Sequence, residues 1–286
     1  MPAKLSKPNS FYVRGRDLVL NEYTQPANIG EIPMFIHQTW KSDIMKQDYV
    51  NSFDNWSKLH PGFTHVLWTD EDNDLLVSTW FPQYLPVYNW LPIVIQKTDF
   101  ARLMYLYRYG GIYADMDYEC YQALPPCLPQ LCGFMAVQSP FSLNENLQNS
   151  LMISSPGHPV ILAAMDIINQ TVLDLKARKK YPFNLKNKLI GPLVANFITL
   201  GLTGPQVLDK AVSRLAAQNK HIRSELNVAQ LDASFFKGPV AAHLQHNTWV
   251  KDLPKKCMPL IMLAVFAFLV LLAMVVLITH YAGKRR

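Results

Sequence analysis

Two pairs of charged residues carry the chemistry legible in this chain. Asp115 and Asp117 stand one residue apart in "GGIYADMDYEC", and Asp99 and Arg102 lie three apart in "KTDFARLMYLYRY". In an extended strand alternate side chains share a face, so Asp115 and Asp117 are expected to point the same way, with Met116 opposed. Neighbouring carboxylates repel unless a positive group sits between them. A hard divalent cation, Mg2+ or Mn2+, resolves that conflict and typically binds one or two carboxylates together with a substrate diphosphate. The plainer account is an acidic pair at a solvated turn. At their spacing Asp99 and Arg102 share a helix face, either as a local ion pair or N-cap, or reaching together toward a ligand.

Something must hold these side chains. "IPMFIHQTW" (32 to 40) reads as a buried strand, apolar at Ile32, Met34, Phe35 and Ile36. A helix over Lys46 to Leu59 follows, then "HPGF" turns the chain into a second strand over 64 to 68 that ends in acids. Strand, helix, strand in this order suggests a parallel unit with ligand groups at the carboxyl ends of the strands. "IQKTDFARLMYLYRYGG" predicts a helix over Lys97 to Tyr109 with Phe100, Leu103, Met104 and Tyr107 on one face. Thr98 or Asp99 would cap its start, and Gly110 would take the αL position after its end. "GIYADMD" is then the third strand and its exit. A helix over Pro159 to Arg178 follows "SSPGHP", and another opens at "GPLVANFITLGL". His158 and Gly191-Pro192 begin helices and so could face a ligand, but turn punctuation explains His158 better. For Trp68, Asp70 and Glu71, packing after a strand end is preferred to ligand contact.

Of the 286 residues, 50% are hydrophobic, enough for one large domain or two small ones, and disorder as a whole is excluded. Met258 to Thr279 runs 22 residues without a charge. At about 1.5 Å per helical residue that length crosses a bilayer core of roughly 30 Å. Lys251, Lys255 and Lys256 flank it on one side and Lys284, Arg285 and Arg286 on the other, which leaves orientation nearly undecided. Without the three terminal basic residues the net charge of +6 falls to +3 for residues 1 to 257, too mild a bias for a nucleic-acid partner. The opening residues hold no apolar stretch of signal-peptide length. Cys120, Cys127, Cys132 and Cys257 show no CxxC spacing, which argues against zinc, and a disulfide among the first three would need an oxidising lumen. The expected layout is a lead-in (1–29), one α/β domain (30–250), a transmembrane helix (258–280) and a basic tail (281–286).

"IPMFIHQTWKS", "HPGFTHVLWTDED", "IQKTDFARLMYLYRYGGIYADMD", "SSPGHP", "IGP" and "HLQHNTW" stand in the order seen in glycosyltransferase family 32, which the chain resembles over roughly residues 30 to 250. The resemblance implies a GT-A fold (Rossmann-like, nucleotide-sugar-binding), a nucleotide-sugar donor, Mn2+ or Mg2+, and transfer with retention of anomeric configuration. On the family pattern Trp40 looks like the aromatic that stacks on the donor base, where a core tryptophan is the alternative. Asp99 and Arg102 resemble the pair that holds the donor's sugar and diphosphate. Asp115 would meet the ribose and the metal, and Asp117 would be the direct ligand. "HLQHNTW" is similar to a C-terminal motif that completes the metal shell and contacts the departing diphosphate, with His243, His246, Thr248 and Trp249 as candidates. Asn247-Thr248 departs from that motif, where glycine-serine is common. The resulting assignment is Asp117, Arg102 and Asp99 as catalytic and Asp115, Asp117 and His246 on the metal. Trp40, Asp99, Arg102, Asp115, Thr248 and Trp249 would bind the donor.

The family includes fungal Golgi α-mannosyltransferases and the subunits that mannosylate inositol phosphorylceramide. That favours GDP-mannose as donor, a membrane-associated lipid or glycan as acceptor, a role in sphingolipid synthesis, and a regulatory subunit as a further partner. A UDP-galactose or UDP-N-acetylglucosamine transferase, or a membrane-anchored protein that binds sugar nucleotides without turnover, are the alternatives. A lone C-terminal span would by default leave the domain in the cytosol. Family precedent places it in the Golgi lumen, and the Golgi is the expectation taken here.

Overall fold

Strands whose residues alternate between two apolar surfaces need cover on both faces. Phe35, Val66, Trp68, Tyr113, Phe134, Ala136 and Met152 enter one core, while their neighbours Ile36, Ile112, Ala114, Met135, Val137, Leu151 and Ile153 enter another across the sheet. This is a computed structural model, and it describes residues 5–22, 32–124, 133–138, 147–178, 198–218, 221, 227–232 and 235–244.

The strands are β1 (Leu5–Ser6), β2 (Val13–Arg14), β3 (Phe35–Thr39), β4 (Met45–Lys46), β5 (Thr64–Trp68), β6 (Gly111–Ala114), β7 (Tyr118–Cys120), β8 (Phe134–Gln138), β9 (Leu147–Ser154), β10 (Val228–Leu231) and β11 (Ala241–His243). Among the described residues they form a seven-stranded sheet of order β10-β8-β9-β6-β3-β5-β2 and two small ribbons, β1-β4 and β7-β11. β2, β3, β5 and β6 run parallel, whereas β9 is antiparallel to both β6 and β8. The sheet is therefore mixed. The carboxyl ends of β3, β5 and β6 open beside the start of β9, the position where α/β sheets place ligands.

The helices are α1 (Gly15–Leu20), α2 (Gln47–Leu59), α3 (Asp70–Trp80), α4 (Leu85–Trp90), α5 (Val94–Tyr109), α6 (Pro159–Ala177) and α7 (Gln206–Gln218), and residues 198–202 are also helical. The parallel β3-α2-β5 unit matches its expectation. α5 starts earlier than expected, at Val94 with Ile93 as N-cap. Thr98 and Asp99 therefore lie inside the helix and cap nothing. The added turn is held by tertiary contact, since the buried Gln96 donates to Thr199 Oγ1 at 3.0 Å. At the other end Gly110 has φ +64° and ψ −163°, a positive φ but not the αL cap, because the chain runs directly into β6. Gly111 follows at φ +96°, and a Cβ there would lie 2.7 Å from the Phe35 carbonyl oxygen. Two glycines are required because the positive φ of both, the packing of Pro33 and Pro156 against Gly110 and the close approach of Gly111 to β3 exclude a side chain.

The lead-in is built into the fold. β2 pairs with β5 as an edge strand, and Arg14 donates from Nε and Nη2 to the two carboxylate oxygens of Asp72 at 2.9 and 3.0 Å. Upstream, Asn9 and Ser10 donate from backbone and side chain to the buried Asp54. His158 is the N-cap of α6, its Nδ1 accepting from the Val160 N–H, in line with the structural account of that loop. Among the described residues no helix is long and apolar enough to cross a membrane, and Met258 to Thr279 lies outside them. Gly191-Pro192, Cys127, Cys132 and Cys257 also lie outside. Cys120 is a free buried thiol whose Sγ donates to the Gln122 carbonyl at 3.0 Å.

Candidate active site

β6 ends at Ala114, so Asp115 and Asp117 are not carried on a strand as expected. Asp115, Met116 and Asp117 form a turn closed by the Tyr118 N–H, which donates to the Asp115 carbonyl at 2.9 Å. The two acids still share a side. Met116 is tucked into the core with Met45, Tyr49 and Phe53, and its burial turns both neighbours outward. After the turn β7 leaves the main sheet and pairs with β11, placing His243 opposite Tyr118. The Leu244 N–H donates to the Asp117 carbonyl at 2.9 Å and ties the two segments together. His243 Nε2 consequently lies 3.2 Å from Asp117 Oδ1 and 3.7 Å from Asp115 Oδ2. One ligand atom from each of the three residues falls within 4.8 Å of the others.

Behind this cluster sits a buried network of charge. Asp115 Oδ1 accepts from the Tyr113 hydroxyl at 2.7 Å and forms an ion pair with Arg102 Nη1 at 3.1 Å, which leaves Oδ2 facing His243. Arg102 Nη1 also donates to the Asn149 carbonyl at 2.9 Å, and Nη2 reaches Asp99 Oδ1 at 3.0 Å. The guanidinium lies 4.7 Å from the centre of the Tyr113 ring. Asp99 is satisfied in turn by the Asn149 amide and the Thr203 hydroxyl, both at 3.1 Å. With Asp99 5% and Arg102 3% exposed, the surface ion pair is excluded. Burial raises the Asp99 carboxyl to about 6 against the pull of Arg102. Burial also raises Asp115, opposed by Arg102 and reinforced by Asp117. For His243 burial acts downward, but the Asp117 and Asp115 carboxylates overcome it and the net shift is upward.

Two carboxylates and an imidazole converging on one point, with Asp115 raised in part by Asp117 and His243 raised by both acids, fit a divalent cation. The mixed oxygen and nitrogen set suits Mn2+ better than Mg2+, which prefers oxygen alone. His243 is the histidine that the fold brings to the acids. His246, assigned to the metal from the motif, lies outside the described residues with Thr248 and Trp249. Trp40 follows β3 at the open edge, half-buried, with its ring 4.5 Å from Tyr49 and its indole Nε1 without a hydrogen-bond partner among the described residues. Trp68 is a core residue, stacked on Tyr105 at 4.3 Å and donating from Nε1 to His37 Nδ1. Asp70 and Glu71 occupy the first turn of α3, which Thr69 caps. Tyr113, Asn149, Thr203 and Gln38 were not picked out from the sequence. Only Tyr113 had a visible signal, two residues before Asp115 at strand spacing.

Residues 46–133 match the family described as "Glycosyltransferase sugar-binding region containing DXD motif". The chain is 34% identical over 146 residues to inositol phosphoceramide mannosyltransferase 3 of Schizosaccharomyces pombe, covering 51% of this chain and 40% of that protein. It is 28% identical over 185 residues to inositol phosphoceramide mannosyltransferase 1 of the same organism, covering 64% of this chain and 55% of that one. A mannosyl phosphorylinositol ceramide synthase of Saccharomyces cerevisiae is 29% identical over 196 residues, 68% of this chain and 46% of the relative. The chain thus spans between 40% and 55% of the length of these relatives. Among solved structures, the ligand-free glycosyltransferase domain from the YGT toxin superposes with a TM-score of 0.48 at 11% identity, over 71% of this chain and 80% of that one.

Proposed function

We propose that this chain, whose residues 46–133 match the DXD-containing glycosyltransferase sugar-binding region, is a glycosyltransferase that moves a sugar from a nucleotide-sugar donor to an acceptor hydroxyl on a GT-A fold. The observation that carries the reading is the convergence of Asp115, Asp117 and His243, with Arg102 bonded to Asp115 from behind. These three residues would hold Mn2+ or Mg2+, which when bound supplies Lewis-acid stabilisation of the departing diphosphate.

Breaking the bond between the anomeric carbon and the diphosphate puts negative charge on a phosphate oxygen while the sugar becomes oxocarbenium-like. Arg102 fixes the pose of Asp115 and supplies a positive charge behind the site; its Nε has no hydrogen-bond partner among the described residues. To Trp40, half-buried after β3, we assign stacking on the donor base. Asp99, close to the acids, is paired with Arg102 and already accepts from Asn149 and Thr203, which makes it a poor covalent nucleophile. That favours retention by front-face transfer, with the acceptor hydroxyl attacking on the side the diphosphate leaves.

The names of the relatives favour mannose as the sugar and a lipid such as inositol phosphorylceramide as acceptor, and GDP-mannose is the donor proposed. The uncharged stretch Met258 to Thr279 supports a single-pass membrane anchor, and the Golgi or another endomembrane is the location proposed from the family resemblance. The test is donor turnover by the full chain with GDP-mannose, UDP-galactose or UDP-N-acetylglucosamine, each with and without Mn2+. Mn2+-dependent sugar release from GDP-mannose is the expected result, and release from a UDP-sugar alone would reassign the donor. No release from any donor would leave a sugar-nucleotide-binding protein.

A further inference from the structure

Gln38 is wholly buried, and both ends of its amide are committed. Nε2 donates to the Asp115 carbonyl at 3.2 Å, the same oxygen that the Tyr118 N–H uses to close the acidic turn. Oε1 accepts from His65 Nε2 at 3.0 Å. Strand register explains the meeting. Ile36 pairs with His65 and Gln38 with Leu67, so Gln38 and His65 share one face of adjacent parallel strands as diagonal neighbours.

An amide is two-faced. Turned over, Gln38 would set its oxygen against the Asp115 carbonyl oxygen and lose both bonds. His65 prevents that, because a proton on Nε2 can be accepted only by Oε1. The imidazole is locked in place, stacked on Phe53 at 4.0 Å with 6° between ring planes, and burial pushes its pKa down to about 3, so it is neutral. The other holds on the turn act elsewhere. Arg102 and Tyr113 grip the Asp115 carboxylate, and Leu244 grips the Asp117 carbonyl. Gln38 alone among these side chains reaches the backbone between the two acids from the centre of the sheet.

We propose that Gln38, oriented by His65, is a positioning residue that sets the pose of the Asp115–Asp117 turn and thereby the strength of its hold on a divalent cation. The proposal rests on the reading of that turn as a cation site. It assigns the Gln of "IHQTW" and the His of "THVLW" a task that neither residue performs by touching the cation or a substrate.

The experiment is a Mn2+ titration of the full chain in detergent micelles, following the electron paramagnetic resonance signal of free Mn2+, with thermal unfolding measured in parallel. Gln38→Met keeps the side-chain length and removes the donor. His65→Phe keeps the stack on Phe53 and removes the proton that orients the amide. His65→Gln restores an N–H donor. Loss of an outer-shell partner typically weakens metal binding by about 10- to 100-fold, so Gln38→Met and His65→Phe should both raise the Mn2+ dissociation constant by about tenfold or more, and His65→Gln should recover most of it. If Gln38→Met does not fold, His65→Phe, which leaves every residue of the turn in place, decides the matter. Wild-type binding with variants that lose thermal stability yet bind Mn2+ within about twofold would overturn the positioning role and keep the cation site. A wild-type chain that binds no Mn2+ would overturn both.

Discussion

Arg102→Met removes the guanidinium lying between Asp99 and Asp115 and keeps most of the volume of the side chain. In the wild-type chain that group is 3% exposed, lies 3.0 Å from Asp99 and 3.1 Å from Asp115, and donates to the Asn149 carbonyl. Taking one partner from a buried pair costs about 3–5 kcal/mol, because the remaining charge is left uncompensated. Here two carboxylates are orphaned, which places the expected loss at the upper end. The loss must also depend on pH. Burial raises Asp99 to about 6 with Arg102 present, and Arg102 is the largest of the influences that hold it down, ahead of the Thr203 and Asn149 hydrogen bonds, so its removal raises that value further. An unfolded carboxyl titrates near 4, so between about pH 5 and 8 the folded variant binds a proton that the unfolded chain does not. Stability then falls as pH rises through the folded value. At about 1.4 kcal/mol per pKa unit, the loss should be about 4–5 kcal/mol at pH 8 and smaller by roughly 1–3 kcal/mol at pH 5. Urea unfolding followed by circular dichroism at the two pH values measures this directly. Adding Asp99→Asn should return part of the loss at pH 8, since it removes one orphaned charge. A loss below about 1 kcal/mol at both pH values is the behaviour of an exposed pair and would refute the buried network. A loss that grows on acidification would refute the sign.

Asp117→Ala should lower sugar transfer by at least about 100-fold. Its melting temperature should stay within about 2 °C of wild type, because a turn ligand rather than core volume is lost, and full activity would end the cation argument. His243→Ala should weaken Mn2+ by about tenfold or more, equivalent to ~1.4 kcal/mol, and an unchanged calorimetric affinity would remove His243 from the ligand set. Base stacking on an aromatic is worth about 1–3 kcal/mol, so Trp40→Ala should raise the donor KM by about 5- to 100-fold with little change in kcat. A change confined to kcat would place Trp40 elsewhere. Gly111→Ala should destabilise by more than ~1 kcal/mol, since it forces a Cβ onto a residue at φ +96° facing the Phe35 carbonyl, and an unaltered melting temperature would contradict that geometry.

Residue type and spacing were enough to find the acids and the parallel β3-α2-β5 unit that frames them, because both signals are local. The geometry that unites the site is not local. Asp115 and Asp117 were expected to converge by strand alternation and instead converge through a turn with Met116 folded inward. The difference has a consequence. A continuous strand would have kept residues 118–120 in the main sheet, whereas the turn releases them to pair with β11, and that pairing delivers His243. The family-like motif "HLQHNTW" offered both His243 and His246, and its sequence cannot show which residue of a distant segment a ladder will register against Tyr118; His246 lies outside the described residues. Asn149 and Thr203, on β9 and after the helical residues 198–202, were hidden for the same reason. The Asp99 and Arg102 pair shows the converse. Its spacing alone allowed a solvated ion pair, yet Phe100, Ala101, Leu103, Met104, Tyr105 and Leu106 surround it with apolar residues on every side of the helix. Over residues 99–106 the helix is buried all round and has no solvated face on which to place two charges. Such charges persist only if they satisfy each other and something further, and here Asp115 takes the further bond from Arg102. The apolar residues between the charges were therefore as informative about the site as the charges themselves.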